Sequence, residues 1–381
     1  MSHSIRRLMF LAMPSLVLFV AGAVTGCTNP HVEPEPTAGR PSPIPSSQPT
    51  EIPRDFILVW REQEADFLVV DPTRRPATAF SIGVPSACRQ GPLPYTTWFS
   101  CEGKGTEHFL FNPLDGDRID LPTFDGEAAG ASTNGRYILY SRGANTGTKD
   151  FFSLDACTGK TADIATDIGP EVRQQWPVHP ALSYDGTAIA VVHSTSDVGT
   201  YRIALALDEG VMDDLGPTSP TATWDVAWSP IGPSLLFGAT DTAAELAPLS
   251  RHLYVLDTET GEYRILASSP SPTEWFGMGT MLWSPQGDRV ATTLGSQACV
   301  VGVTETSVRC FDAKVDATFT PIAWSPTGTR IAFVDNSGTL IVSGLDGKSM
   351  VPLLSPELQG AFQLYWGAPV IPCPAAAGVA R

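Results

Sequence analysis

The residues in this 381-residue chain with the most definite chemistry are its seven cysteines. Six of them, Cys88, Cys101, Cys157, Cys299, Cys310 and Cys373, lie in the body of the sequence. A thiol there can act as a nucleophile, a metal ligand or half of a disulfide. Metal ligation needs clustered soft ligands, and no Cys-x-x-Cys or group of histidines accompanies these six, so no metal site is expected. Their even number points to disulfides if the chain is exported. Cys299 and Cys310 flank a short hairpin, Val300–Val303 and Ser307–Arg309, and are the best pair; Cys88 with Cys101 is the next. Closing loops of this size stabilises a fold by about 3 kcal/mol. Spacing leaves the partners of Cys157 and Cys373 open.

Other reactive constellations are missing from the sequence. A serine hydrolase of the α/β type needs a Gly-x-Ser-x-Gly elbow to expose its nucleophile, and there is none. There is no His-Glu-x-x-His to hold a catalytic zinc. The Asp-Gly and Thr-Gly pairs lack the dense acidic alternation of a calcium loop and read as hairpin turns. Ser183-Tyr184-Asp185-Gly186 has neither the spacing nor the Trp of a sialidase Asp-box. No cofactor is expected.

The N-terminus reads as an address. Arg6 and Arg7 precede an apolar run, Leu8 to Val24, which is broken by Pro14 and too short for a permanent span. Val24-Thr25-Gly26-Cys27 then resembles the lipobox of bacterial lipoprotein signals. That resemblance implies that residues 1–26 are a signal peptide and that Cys27 is lipidated as the new N-terminus. Removing two cations takes the formal charge from −16 to −16 − 2 = −18. The segment after Cys27, within residues 27–52, is rich in Pro, Ser and Thr without apolar periodicity, and so reads as an extended tether. Acyl chains contribute about 0.8 kcal/mol per buried CH₂, so two or three make a lasting anchor. The expected location is the extracytoplasmic face of a cell membrane, periplasmic or cell-surface. A net charge this negative offers no clustered cations for a phosphate backbone, which argues against nucleic acid as a partner.

What must position any site is a repeat. Five stretches place a Ser three residues before a Gly, followed by alternating apolar residues. They are Ser132–Gly135, Ser183–Gly186, Ser229–Gly232, Ser284–Gly287 and Ser325–Gly328, and Trp228, Trp283 and Trp324 stand just before the last three. The motif describes a tight hairpin in which Ser bonds back to the turn, Pro sets its own φ and Gly takes the left-handed conformation. The Trp can fill the wedge between neighbouring sheets. Further strands follow, as at Leu253–Leu256 and Tyr263–Leu266 with the turn Asp257–Gly261 between them, and at Leu340–Val342 and Met350–Leu354 around Asp346-Gly347. Four strands in each repeat of about 40–50 residues make one propeller blade.

Trp-Ser-Pro-x-Gly followed by Ile-Ala-Phe resembles the TolB-type propeller repeat, and residues 322–333 are close to an ideal copy. The resemblance spans most of residues 124–366 and implies the fold while leaving the function open. Two weaker blades are expected upstream. One comprises Thr96–Ser100, His108–Phe111 and Arg118–Leu121, with Ser100–Gly103 as a degenerate turn. The other comprises Phe56–Trp60, Asp66–Val70 and Thr78–Ile82. Phe362–Trp366 has the pattern of an inner strand with no blade after it, so it should complete the first blade and leave no open edge. The expected fold is therefore an all-β propeller of seven four-stranded blades, with six as the alternative, over residues 53–370. Residues 371–381 form a tail.

On such a ring the loops between second and third strands share a face with the loops between blades. Arg142–Asp150, His193–Thr200 and Gly238–Arg251 are the long ones, and the linkers carry Arg173, Trp176, Trp224, Trp275 and Phe276. Aromatic residues at a propeller mouth suit an envelope protein, a peptide or a glycan. The sequence thus favours a tethered binding module over the alternative, an envelope enzyme acting on carbohydrate or peptide at the central funnel.

Overall fold

The computed structural model describes residues 55–367, apart from segments 62–65, 89–91, 94–95, 103–107, 122–126, 143–148, 169–179, 195–200, 208–209, 220–225, 242–249, 272–273, 275, 317–319, 355–357 and 359–360. The chain divides into two units, 1–49 and 50–381, and every described residue belongs to the second. These residues form strands and no helix.

The strands assemble into seven sheets, each antiparallel, which are the blades of a propeller. The first blade takes β1 (Phe56–Arg61), β2 (Asp66–Asp71) and β3 (Thr78–Gly83). The second has β4 (Phe99–Glu102), β5 (His108–Phe111) and β6 (Arg118–Asp120). The third has β7 (Glu127–Ala131), β8 (Tyr137–Arg142), β9 (Lys149–Asp155) and β10 (Thr161–Ile168). The fourth has β11 (Ala181–Leu182), β12 (Ala188–Ser194), β13 (Tyr201–Leu207) and β14 (Gly210–Ser219). The fifth has β15 (Val226–Trp228), β16 (Ser234–Asp241), β17 (Ser250–Asp257) and β18 (Tyr263–Ser268). The sixth has β19 (Phe276–Trp283), β20 (Arg289–Leu294), β21 (Gln297–Gly302) and β22 (Val308–Lys314). The seventh has β23 (Ile322–Trp324), β24 (Arg330–Val334), β25 (Leu340–Gly344) and β26 (Val351–Leu354).

The last strand, β27 (Ala361–Gly367), returns to the first blade and pairs antiparallel with β1, Ile57 opposite Trp366 and Val59 opposite Leu364. The expected closure is therefore present. Alternate residues of each inner strand face the blade on either side: Val226 and Trp228 look toward the fourth blade, Ala227 toward the sixth. This period of two packs an apolar cluster into each of the seven contacts between successive blades, including the contact of the seventh with the first through Val334, Val342, Ile57 and Trp366. A ring sealed this way has no uncovered sheet face between blades.

The tryptophans do more than fill wedges. Trp228 Nε1 donates to the Ala181 carbonyl at 2.8 Å, Trp283 to Ala227 at 2.8 Å and Trp324 to Leu282 at 3.0 Å. Each indole thus satisfies its polar atom on the inner strand of the blade before it, as a buried Trp must. The Ser hydroxyls accept from the backbone five residues on: Tyr137 N, Ala188 N, Arg289 N and Arg330 N approach Ser132, Ser183, Ser284 and Ser325 at 2.9–3.1 Å. Gly328 sits at φ +62°, and a Cβ there would overlap the Gln286 amide of the neighbouring turn. Gly232 differs from this pattern. It is not left-handed and it meets open space, because Pro233 follows it and drives the preceding residue toward extended backbone.

The second blade corrects the sequence reading. Ser100–Gly103 is not its first turn, because Cys101 and Glu102 lie on β4. Gly116 N bonds Asn112 O as Gly159 N bonds Asp155 O and Gly261 N bonds Asp257 O, so β5 and β6 are the third and fourth strands and β4 is the second. The first turn is Leu93–Thr96, where Leu93 N bonds Trp98 O and Thr96 N bonds Leu93 O. Among the described residues the inner strand contributes one bridge, Pro92 with Phe99, and one bond from Glu102 N to Ala87 O. Between these contacts the Cys88–Cys101 disulfide joins the irregular segment to β4. The ring therefore has seven blades, of which the second shows three regular strands among the described residues rather than four.

Candidate functional site

Cys27, Arg173, Trp176, Trp224 and Trp275 lie outside the described residues, as do the centres of the three long loops at 143–148, 195–200 and 242–249. Phe276 is described, and its place is a correction. It opens β19 with 6% of its surface exposed, packed with Leu253, Leu266 and Met281 between the fifth and sixth blades. A ring sealed there cannot meet a partner. Its apolar character, read as a mouth aromatic, serves the core.

The face that carries the blade-linking loops is uneven around the ring. In the sixth blade β20 and β21 are joined by the tight turn Gly295-Ser296, against which Glu274 packs. In the seventh, Asp335 Oδ1 caps its own turn by accepting from Ser337 N and Thr339 N, both at 2.9 Å. Val315 N bonds Ser296 O within the sixth blade, and Asn336 N bonds Lys314 O across to the seventh, so backbone joins the two blades here. In the first blade, Arg61 grips Asp66 with two bonds of 2.9 and 2.7 Å across the start of the next strand, and Ser81 also donates to Asp66. The sixth and seventh blades thus present short, closed turns here, and in the first blade the strand ends that flank residues 62–65 are tied together by Arg61 and Asp66. The third, fourth and fifth are where longer segments join second strands to third.

Between the second and third blades lies a group the sequence did not flag. Tyr140, on β8 just before the long β8–β9 connection, is 7% exposed, and its hydroxyl has no hydrogen-bond partner among the described residues. Burial pushes its phenol well above the ordinary tyrosine range, so it stays neutral. Alternation placed Tyr140 in the core; no pattern in the sequence tells that its hydroxyl goes unpaired.

The disulfides are the other chemistry. Cys299 and Cys310 face each other across β21 and β22 with Cα atoms 4.0 Å apart, as the hairpin reading expected. Cys88 and Cys101 are 4.1 Å apart and buried. Cys157, in the Asp155–Gly159 turn, is also disulfide-bonded. Among the described residues no group of three or more His, Cys, Asp or Glu could hold a metal ion.

No family model matches this sequence, and no curated protein matches it. Among solved structures, TolB from Acinetobacter baumannii is similar at 14% identity and a TM-score of 0.45, over 82% of this chain and 66% of that one. The chain thus spans just under two thirds of that TolB. An oligogalacturonate lyase from Vibrio parahaemolyticus is similar at 12% identity and a TM-score of 0.48, over 81% of this chain and 83% of that one. A nidogen/laminin complex gives 12% identity and a TM-score of 0.41, over 82% and 98%.

Proposed function

We propose that this chain is an extracytoplasmic binding module of the cell envelope, tethered to a membrane by lipid on Cys27, whose propeller engages a protein, peptide or glycan partner. The observation that carries the reading is the pair of disulfides, Cys88–Cys101 and Cys299–Cys310. Such bonds persist in oxidising compartments and are rare in the cytosol, which agrees with a signal peptide ending at Val24-Thr25-Gly26-Cys27. The ring supplies a rigid platform, and its long connections on one side of one face are the natural place for recognition. Arg173, Trp176, Trp224 and Trp275 remain the proposed contact residues.

The test is Cys27→Ala in cells. The processed variant should leave the membrane fraction, while the parent chain resists a high-salt wash. A processed variant that stays in the membrane fraction sinks the anchor. Crosslinking of the parent chain in intact cells, followed by mass spectrometry, should then return a discrete partner lost on replacing Trp176 and Trp224 with Ala.

A further inference from the structure

Cys157 is disulfide-bonded, and the Cys88–Cys101 and Cys299–Cys310 bonds already take four of the seven cysteines. Its partner is therefore Cys27 or Cys373, both of which lie outside the described residues. A lipid thioether on Cys27 uses up that sulfur and leaves Cys373.

The place of Cys157 agrees. It is half-buried in the middle of the Asp155–Gly159 turn, where the equivalent Asp257–Gly261 turn of the fifth blade carries the exposed Glu259. Its N–H donates to Asp155 Oδ1 at 2.9 Å, which fixes the turn. Ala156 N bonds Arg136 O, so the turn lies beside the start of β8, on the face of the Ser-x-x-Gly turns. Ala156 also packs against the cluster between the second and third blades. The turn thus borders the second blade.

β27 ends on the same face. β1 holds the second-strand place of the first blade, as β8 does in the third, so Phe56 starts at the turn face and Gly367 lies opposite it. Cys373 is six positions beyond Gly367. Pro369, Pro372 and Pro374 bias Ala368, Ile371 and Cys373 toward extended backbone. Six extended residues reach about 20 Å. Packed sheets lie about 10 Å apart, so this reach matches the two spacings from the first blade to the third. The bridge itself adds about 5 Å between Cα atoms.

We infer that Cys157 is bonded to Cys373, and that residues 368–373 form a strap across the turn face of the second blade which fastens the closing strand to the third. The inference rests on the lipid proposed above, because that is what removes Cys27 as a partner. The bond needs an extracytoplasmic disulfide oxidant. One cysteine thiolate attacks a sulfur of that disulfide and expels the other sulfur as a thiolate. The second cysteine thiolate then attacks the mixed disulfide, and the oxidant leaves as a dithiol holding the two electrons and two protons. The strap spans 373 − 157 = 216 positions, against separations of 13 and 11 for the other bonds. It therefore removes the most freedom from the open chain.

Peptide mapping tests the pairing. Protein purified from the envelope, with free thiols alkylated, is digested and read by mass spectrometry without reduction. A Cys157–Cys373 peptide is expected beside an acylated Cys27. An alkylated Cys157 on a chain with acylated Cys27 overturns the strap and leaves the anchor standing. A Cys157–Cys27 link overturns both. Thermal melts of Cys157→Ser, Cys373→Ser and the double variant test what the bond does. All three should melt about 5 °C or more below the parent and by the same amount, since each lacks one and the same bond. An unchanged melt, or losses that add in the double variant, overturns the strap's hold on the closing strand.

Discussion

The seventh and second blades solve one problem in two ways. Each must hold an inner strand at the crowded centre of the ring. In the seventh, β23 pairs regularly with β24, Ser325 closes the turn, and Trp324 reaches the carbonyl of Leu282 in the sixth blade. In the second, the described residues of the inner segment keep one bridge at Pro92 and one bond at Ala87, and the Cys88–Cys101 disulfide joins that segment to β4. Its outward side still packs, as the Trp60, Phe67 and Phe99 rings meet edge-on at 4.8–5.4 Å against the first blade. The difference teaches that the two blades share their packing against neighbouring blades, while a disulfide is added only in the second to tie the inner segment to the next strand.

The largest effect should come from breaking closure. Deleting residues 361–381 removes β27, uncovers β1 along its inner edge and takes away Leu364 and Trp366, which are 7% and 4% exposed. Truncating one such aromatic costs about 3–5 kcal/mol, against a total stability of about 5–15 kcal/mol. The truncated protein should aggregate or lose most of its melting temperature in differential scanning fluorimetry. A nearly unchanged melt would show that the seven-blade ring does not depend on this strand.

Next, the two disulfides can be set against each other. Their sequence separations are 13 and 11 residues, so chain entropy alone assigns them similar worth, about 3 kcal/mol each. Cys299 and Cys310 sit opposite each other on two paired strands, with Val300 and Val301 also paired beside them, whereas Cys88 lies on a segment outside the regular strands. Replacing Cys88 and Cys101 together by Ser should therefore cost more in urea unfolding than replacing Cys299 and Cys310. Equal losses would remove any special role of the Cys88–Cys101 disulfide in holding that segment.

The turns give a smaller contrast. Gly328→Ala puts a side chain at positive φ and against Gln286, for a cost of about 1–2 kcal/mol or more. Gly232→Ala, in the same motif, should be neutral or stabilise by about 0.4–1 kcal/mol through the unfolded chain. Thermal melts of the two variants should move in different directions.

The smallest effect is in acid. Asp155 and Asp115 lie in equivalent turns of the third and second blades and titrate in opposite senses. Burial pushes Asp155 up, but hydrogen bonds from Arg136 and the Cys157 N–H, with the Arg136 charge, outweigh it and hold the carboxyl below the usual range. Its contribution is therefore present above about pH 4 and is lost as pH falls through the lowered native value. For Asp115, burial raises the carboxyl and the charge of Asp117 adds to this, so the fold favours its acid form and loses stability as pH rises through that raised value. Asp155→Asn should cost about 0.2–1 kcal/mol at neutral pH and flatten the acid limb of a stability profile. Asp115→Asn should cost nothing at neutral pH.

The sequence was most legible where local chemistry repeats. The Ser hydroxyls, the Trp wedges and the Cys299–Cys310 pair follow from motifs a few residues long, and the return of Phe362–Trp366 follows from one inner-strand pattern left without a blade. The second blade was misread because its true turn, Leu93–Thr96, has neither the Ser nor the Gly that marks the others, while Ser100 and Gly103 mimic that spacing around a strand. Gly232 shared the motif, yet its conformation was decided by Pro233. Phe276 was misplaced because a loop aromatic and the first residue of an inner strand look alike without the blade boundary. The linkers show no periodicity, so nothing local told which of their aromatics face outward.

The first blade is made from the two ends of the ring, Ile57 paired with Trp366 and Asp55 bonded across to Arg330. A chain delivered N-terminus first therefore exposes β1–β3 at once and must keep them waiting while six further blades emerge. Contacts this remote in sequence are the slowest to form and the longest open to proteases. Only a polypeptide synthesised through to β27 can shut the seam. A product that stops anywhere before Ala361 leaves β1 unpaired along its inner edge, at the centre of an open ring. The order of the strands thus ties closure of the ring to completion of synthesis.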